Sequence, residues 1–244
     1  MLADFRADLH VHTCLSPCAS DTMLPRIMVA AAVSKELNIV AVCDHNATDN
    51  VQAVRQAAQE QALAVVGGVE ITSREEVHIL GLFDNDQALS EISALIERHL
   101  AGRNDEAAFG EQWVVDADGG ITGIDHRLLI GATSLSVDRI VDAILQLEGL
   151  AIASHIDREA FGIIGQLGFI PSGLQLDALE LSPSAVTCRD SYSRQYDLPL
   201  VTSSDAHYPD DIGGSATTFT MAAVSIEEMR KALCGEDGRK IIME

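Results

Sequence analysis

The sequence is poor in aromatic side chains and in positive charge. Phe, Trp and Tyr make up 4% of the 244 residues, so the core has to be built from aliphatic side chains. Sixteen Lys and Arg stand against 37 Asp and Glu, a formal charge of −21. An acidic field of that size repels a long polyanion or an anionic membrane at long range, and bound cations would offset it only locally. A small phosphorylated substrate is therefore the expected partner, and long nucleic acid and membrane surfaces are expected to be poor ones. The same acidity also serves solubility. No apolar run is long enough to span a bilayer. None at the start resembles a signal peptide, since Asp4, Phe5 and Arg6 lead straight into the first strand. Five cysteines (Cys14, Cys18, Cys43, Cys188 and Cys234) are an odd number. They do not suggest a disulfide framework, which points to a reducing cytoplasm. Internal repeats and low-complexity segments are absent, and nothing in the sequence sets an oligomeric state.

What is present is an aliphatic α/β pattern, with 47% hydrophobic residues. Strands are expected at 5–12, 38–43, 62–71, 77–83, 150–154, 178–181 and 200–203. The run Asn38–Cys43 is continuously apolar, as a buried parallel strand requires. Helices are expected at 24–36, 49–61, 86–100, 136–148, 186–196 and 225–234. Pro25 sits near the start of the first, where proline is tolerated, and 49–61 reads as Asp-capped. This alternation implies a mainly parallel sheet, open or closed into a barrel. Residues 101–135 break the pattern, with a hairpin expected around Asp118-Gly119-Gly120. We read them as an insertion in one barrel domain covering 1–244. Such insertions often cover an active-site mouth, and a plain surface excursion is the other reading.

The stretch Asp8-Leu9-His10-Val11-His12-Thr13 carries the chemistry. Residues two apart on a strand share a face, so His10 and His12 offer adjacent imidazoles. The pair repels when both are protonated and becomes favourable when a divalent metal takes a lone pair from each. Six of the eight histidines (His10, His12, His45, His78, His155 and His207) lie in or just after expected strands. His99 and His126 fall on a helix and in the insertion. Asp21, Glu70 and Asp205 add carboxylates near the same strand ends. In a parallel barrel those ends converge on one face. Six imidazoles and three carboxylates there would repel one another without metal, and nine N/O donors suffice for two or three ions.

Five motifs, DLHVHT (8–13), DHN (44–46), GVEI (68–71), SHIDR (154–158) and SDAH (204–207), resemble those of the PHP (polymerase and histidinol phosphatase) family of metal-dependent phosphoesterases. The resemblance runs from about residue 8 to about residue 214. It implies a distorted seven-stranded β/α barrel holding up to three Zn, Mn or Fe ions. Carried over, His10, His12, Glu70 and Asp205 would hold the first metal, and Glu70, His78 and His155 the second. His45 and His207 would hold the third, with Asp21 as a further ligand. Where the family often reads Ser-Asp-Gly, this chain has the longer loop LSPCASD, which makes Cys18 a rival ligand and Cys14 a more distant one.

The implied reaction is phosphoester hydrolysis by a metal-activated water. His207 or His45 would protonate the leaving oxygen, and Arg158 would meet the phosphate with its planar donors. Arg127 and Arg189 are weaker candidates. Asp8 and Asp44 are expected to orient ligands or, in the case of Asp44, to cap a helix, and Glu180, among the barrel ends, either faces the site or only hydrogen-bonds its neighbours. The main reading is a phosphatase of a nucleotide or sugar phosphate; the alternative is a phosphodiesterase or exonuclease acting on short oligonucleotides, and a metal-stabilised module without activity is the third.

Overall fold

A computed structural model describes residues 1–244, apart from the side chain of Val186. All seven expected strands form: β1 (Ala3–Val11), β2 (Ile39–Val42), β3 (Ala64–Thr72), β4 (His78–Phe83), β7 (Leu150–Ala153), β8 (Ala178–Leu181) and β9 (Leu200–Thr202). β5 (Gln112–Val115) and β6 (Ile121–Asp125) pair as the expected hairpin in the insertion. An additional hairpin, β10 (Thr217–Met221) with β11 (Lys240–Met243), extends the main sheet, whose order is β11-β10-β1-β2-β3-β4-β7-β8-β9.

The sheet curls into a nearly closed barrel. Ala206, just past β9, bridges to β1 as a parallel neighbour: His12 N donates to Ala206 O at 3.0 Å and Ala206 N to His10 O at 3.2 Å. Lower down, β10 pairs antiparallel with the first half of β1, and Thr217 exchanges hydrogen bonds with Thr202 of β9 at 2.9 Å. One strand departs from the expected parallel order: β4 runs antiparallel to both β3 and β7. The link Ser73–Val77 is too short for a parallel crossover, which takes about a dozen residues. The reversal brings His78, the first residue of β4, to the end where the other strands finish.

Helices cover the outer face. α1 (Pro25–Ser34) opens on Pro25, and α3 (Asp86–His99) and α5 (Val137–Gln146) are capped by Asn85 and Ser136, which accept from the backbone N–H groups of Ala88 and Arg139. α2 is shorter than expected, Val51–Ala57, and has no aspartate cap. Asn50 precedes it, with its side chain spent on β5: Nδ2 donates to Trp113 O at 3.0 Å and Oδ1 accepts from Val115 N at 2.9 Å. The expected helix 186–196 divides into a 3₁₀ turn, Pro183–Cys188, and α7 (Arg189–Gln195). Short helices α4 (Glu106–Phe109) and α6 (Ile163–Leu167) were not expected, whereas α8 (Ile226–Cys234) was.

Two apolar clusters result. The outer one lies between sheet and helices. The inner one fills the barrel with Leu9, Ile39, Cys43, Leu80, Ile152, Val201 and Phe219, and is plugged by Ile226, Met229 and Leu233 of α8. α8 docks at the end where the parallel strands begin. Its Ile226 N donates to Asp84, just past β4, and Arg230 donates to Asp177 before β8 and to Gly149 O before β7.

Candidate metal centre

The opposite end is polar and buried. Glu70 on β3, His78 on β4 and Glu180 on β8 continue the inward-facing rows above Val66, Leu80 and Ala178. In β1 strict alternation fails. The register against β2 shifts between Asp8 and Val11, and Leu9 joins the inner cluster while Val11 joins the outer. His10 and His12 nevertheless both reach the barrel end, with ring centroids 5.1 Å apart and Nε2 atoms 3.2 Å apart.

Glu70 is the hub. Its Oε1 lies 2.9 Å from His78 Nδ1, 3.3 Å from His155 Nε2 and 3.4 Å from His10 Nε2. Its Oε2 lies 3.0 Å from His45 Nδ1 and 3.5 Å from His12 Nε2. Asp205 Oδ1 is 3.3 Å from His10 Nε2 and 3.2 Å from His12 Nε2. Glu180 Oε2 holds the far side of His10, 3.0 Å from Nδ1, and accepts from His155 N at 3.1 Å.

Two aspartates tie the loops that carry these groups. Asp8 accepts from Ser204 N, Ser204 Oγ and Gly213 N at 2.6–3.0 Å, fixing the segment that presents Asp205. Burial still pushes its carboxyl up to about 6. Asp44 accepts from Thr13 N, Thr13 Oγ1 and Ser16 Oγ at 2.7–2.8 Å, and Ser16 Oγ sits 3.0 Å from His12 Nδ1. Asp44 therefore anchors the loop after β1 and caps no helix. Backbone strain gathers here too: His155 and Asp205 have φ of +29° and +52°, a region that non-glycine residues rarely adopt and that costs about 1–3 kcal/mol each.

The donor set fits divalent cations. Three groups bring their ligand atoms within 4.8 Å of one another: His10, His12 and Asp205; His45, Glu70 and His78; and His12, His45 and His207. His45 Nδ1, though 3.0 Å from Glu70, is out of line for a hydrogen bond, so this buried nitrogen is left without a donor or acceptor. Burial would depress His10, but Glu180, Asp205 and Glu70 reverse that and lift it well above the usual imidazole range. Burial holds His12 well below that range. Glu70, which burial would raise, is held well below the usual carboxylate range by His78, His10 and His45. A cation shared among such donors replaces proton sharing that the crowded imidazoles do poorly.

Not every expected residue arrives. Asp21 is exposed and belongs to none of the three groups; His155 is also outside them, but is buried with Nε2 3.3 Å from Glu70 Oε1. Cys18 stands at the mouth instead, with Sγ 3.2 Å from His207 Nε2. Cys14 is buried against Trp113 O, and burial, helped by Asp44, pushes its thiol up to about 12. Arg158 lines the mouth and donates from Nη1 to Asp205 Oδ2 at 2.6 Å. Arg127 spends its guanidinium on Asp125 and Asp49, and Arg189 lines a separate hollow with Tyr196 and Leu200. The central cavity, about 270 Å³, also takes in Phe161, stacked on His78 at 4.5 Å, and Ile130 from the insertion. That loop is held by Asn46, whose Nδ2 donates to Leu129 O and Gly131 O at 2.8 and 2.9 Å. Sequence reasoning missed Phe161, since no charge or motif singles it out.

The PHP domain family model matches residues 8–165, and a PHP-associated model matches 189–234. The chain belongs to the PHP domain family, whose members are metal-dependent hydrolases of phosphoester bonds. It is 33% identical over 104 residues to a 5′-3′ exoribonuclease of Haemophilus influenzae, a match covering 41% of this chain and 36% of that protein. It is 37% identical over 81 residues to the 5′-3′ exoribonuclease Rnm of Salmonella typhimurium, covering 31% and 26%. These matches span about a third of the relatives' own length. Among solved structures it superposes on the lesion-specific endonuclease PfuEndoQ of Pyrococcus furiosus with a TM-score of 0.73 at 20% identity, covering 98% of this chain and 58% of that one. These findings overturn the expectation that long nucleic acid is a poor partner. Charge summed over the whole surface does not set the potential at one mouth, where Arg158 stands and bound cations would add theirs. No helix among the described residues is long and apolar enough to cross a membrane.

Proposed function

We propose that the chain is a metal-dependent phosphodiesterase that trims nucleic-acid strands from an end. The observation that carries this is the buried cluster of imidazoles and carboxylates opening on a mouth with Arg158, in a chain whose relatives bear nuclease names. His10, His12, Glu70 and Asp205 would hold one ion, Glu70, His78 and His155 a second, and His45 with His207 a third. Zn, Mn and Fe all suit such a donor set. Metal bound there supplies a water acidic enough to yield hydroxide near neutral pH and positive charge against the phosphate oxygens.

The chain's own groups do the positioning. Glu180 grips His10 through Nδ1 and so aims Nε2 at Glu70 and Asp205. Arg158 offers a planar set of N–H donors to a phosphate entering the cavity. His207 has 23% of its side chain exposed against 7% for His45, and is the expected proton donor to the leaving oxygen when the third position is empty. The cavity of about 270 Å³ lies just below the usual range of ligand pockets, ~300–1,000 Å³. It takes in a phosphate with its nearest neighbours, and the preference for a terminus is supported by the exoribonuclease names of the relatives.

The discriminating measurement sets an end-labelled single-stranded oligoribonucleotide against a generic aryl phosphate, with Mn, Zn and Fe supplied in turn. Stepwise shortening of the oligonucleotide is expected, with slow turnover of the aryl ester. Folded, metal-loaded protein that cleaves the aryl phosphate and leaves oligonucleotides intact overturns the reading in favour of a phosphomonoesterase.

A further inference from the structure

We propose that Cys18 is a thiolate ligand of the third metal position, completing it with His45 and His207 in place of the carboxylate of Asp21. The inference rests on the metal-dependent reading above. Sγ of Cys18 lies 3.2 Å from His207 Nε2 and lines the same cavity as His45 and His207. Independently of the thiol, His12, His45 and His207 converge with ligand atoms within 4.8 Å of one another, a cluster that itself calls for a cation.

The loop is built to hold the thiol there. Ser20 N donates to His207 O at 2.9 Å, stitching the loop to the histidine that Cys18 faces. Ala19 N donates to Ser16 O at 2.9 Å, and Ser16 Oγ in turn bonds Asp44 at 2.7 Å and lies 3.0 Å from His12 Nδ1. Cys18 is thus pinned between the two segments that supply the imidazoles. Asp21, three residues on, sits in the turn that Met23 N closes on Ser20 O, exposed to solvent.

The chemistry has a consequence for metal choice. Ligation replaces the S–H bond by an S–metal bond and releases one proton to solvent. A position with two imidazoles and a thiolate favours Zn or Fe, whereas a carboxylate in its place suits Mn or Mg better. Because His12 also borders the first position, filling the third fixes a ligand of the first.

The test uses Co²⁺ as the probe, titrated into metal-free, full-length protein, with the near-ultraviolet sulfur-to-cobalt charge-transfer band as readout. Wild type and Asp21→Asn should both develop the band. Cys18→Ser should lose it and bind the last equivalent of Co²⁺ at least ~10-fold more weakly. Zn²⁺ should shield Cys18 from iodoacetamide while Cys188 and Cys234, both exposed, still react. Co²⁺ bound by wild type with no sulfur band, or a band that survives in Cys18→Ser, overturns the proposal and leaves the metal-dependent reading standing. A folded wild type, verified by circular dichroism, that binds no Co²⁺ at all overturns both.

Discussion

The two ends of the barrel are built from opposite chemistry. At the end closed by α8, the side chains of Phe219, Met221, Ile226 and Met229 are almost wholly shielded from water, and the polar groups around them are paired: Asp84 with Ile226 N, Asp177 with Arg230. At the other end the interior is just as dry, yet it holds His10, His12, Glu70, His155 and Glu180. His155 Nδ1 and Glu180 Oε1 have no hydrogen-bond partner there, and His155 and Asp205 carry strained backbone. Buried polar groups without partners cost stability. The closed end therefore carries the fold, and the open end is held in place by it. What the open end gains is a preorganised set of donors that needs a cation to be at ease.

The comparison breaks most visibly if the two ends respond alike to mutation. His10→Ala or Asp205→Ala should lower metal-dependent phosphoester turnover by about 10³-fold or more, roughly 4 kcal/mol of barrier. Neither should lower the melting temperature of the metal-free protein by more than a few degrees, since each removes a member of a crowded cluster. Saturating metal should stabilise wild type by about 2.7 kcal/mol at 100 times its dissociation constant, and His10→Ala should lose most of that gain. Rates on the labelled oligonucleotide and thermal melts with and without metal check all three statements. Activity surviving both substitutions would show that the site is misassigned.

At the closed end the order reverses. Phe219→Ala empties a fully buried position and should cost about 3–5 kcal/mol of unfolding free energy. The rate per folded molecule should stay within about twofold of wild type, because Phe219 pairs with Phe5 near the start of β1, away from His10 and His12 at its other end. Denaturant unfolding and active-site titration separate the two effects. A large loss of specific activity with unchanged stability would mean that the plug, too, shapes the site.

This division explains what could be read from the sequence. The cluster was legible because His and acidic residues recur at the ends of apolar strands, and His10, His12, Glu70, His78, His155 and Asp205 do come together at one end of the barrel; that they hold metal remains the proposal. The strands were legible for the same reason: β2 and β7 are uniformly apolar, as buried strands must be. The direction of β4 was not, since it depends on a short link and not on the residues of the strand. β10 escaped notice because TTFTM is half threonine-rich surface, and only its pairing with β1 gives Phe219 an interior to fill. The choice between Asp21 and Cys18 turns on the path of one loop, which residue types do not record. Partner choice was misjudged because net charge averages over a surface on which one small mouth matters.

The smallest effect sharpens the contrast from the side of stability. Glu228 on α8 accepts from Arg239 Nε and Nη2, both at 2.8 Å, and from Ala222 N at 2.8 Å, so it ties the plug helix to β10 and to the approach to β11. Arg239, followed by the Ala222 N–H, holds its carboxyl down from the ordinary 4.5 to about 2. A depressed folded-state value means that the ionised form is favoured by folding. Its contribution is fully present above the unfolded value and fades as pH falls through about 2. Glu228→Gln should therefore lower the melting temperature slightly at pH 7, and the gap to wild type should narrow steadily below pH 4.5 and close near pH 2, provided both stay folded there. Oligonucleotide turnover at pH 7 should not change, since α8 lies at the far end of the barrel from every candidate ligand. A gap that widened on acidification would mean that the glutamate is protonated in the native state, and that this end is not the well-paired one.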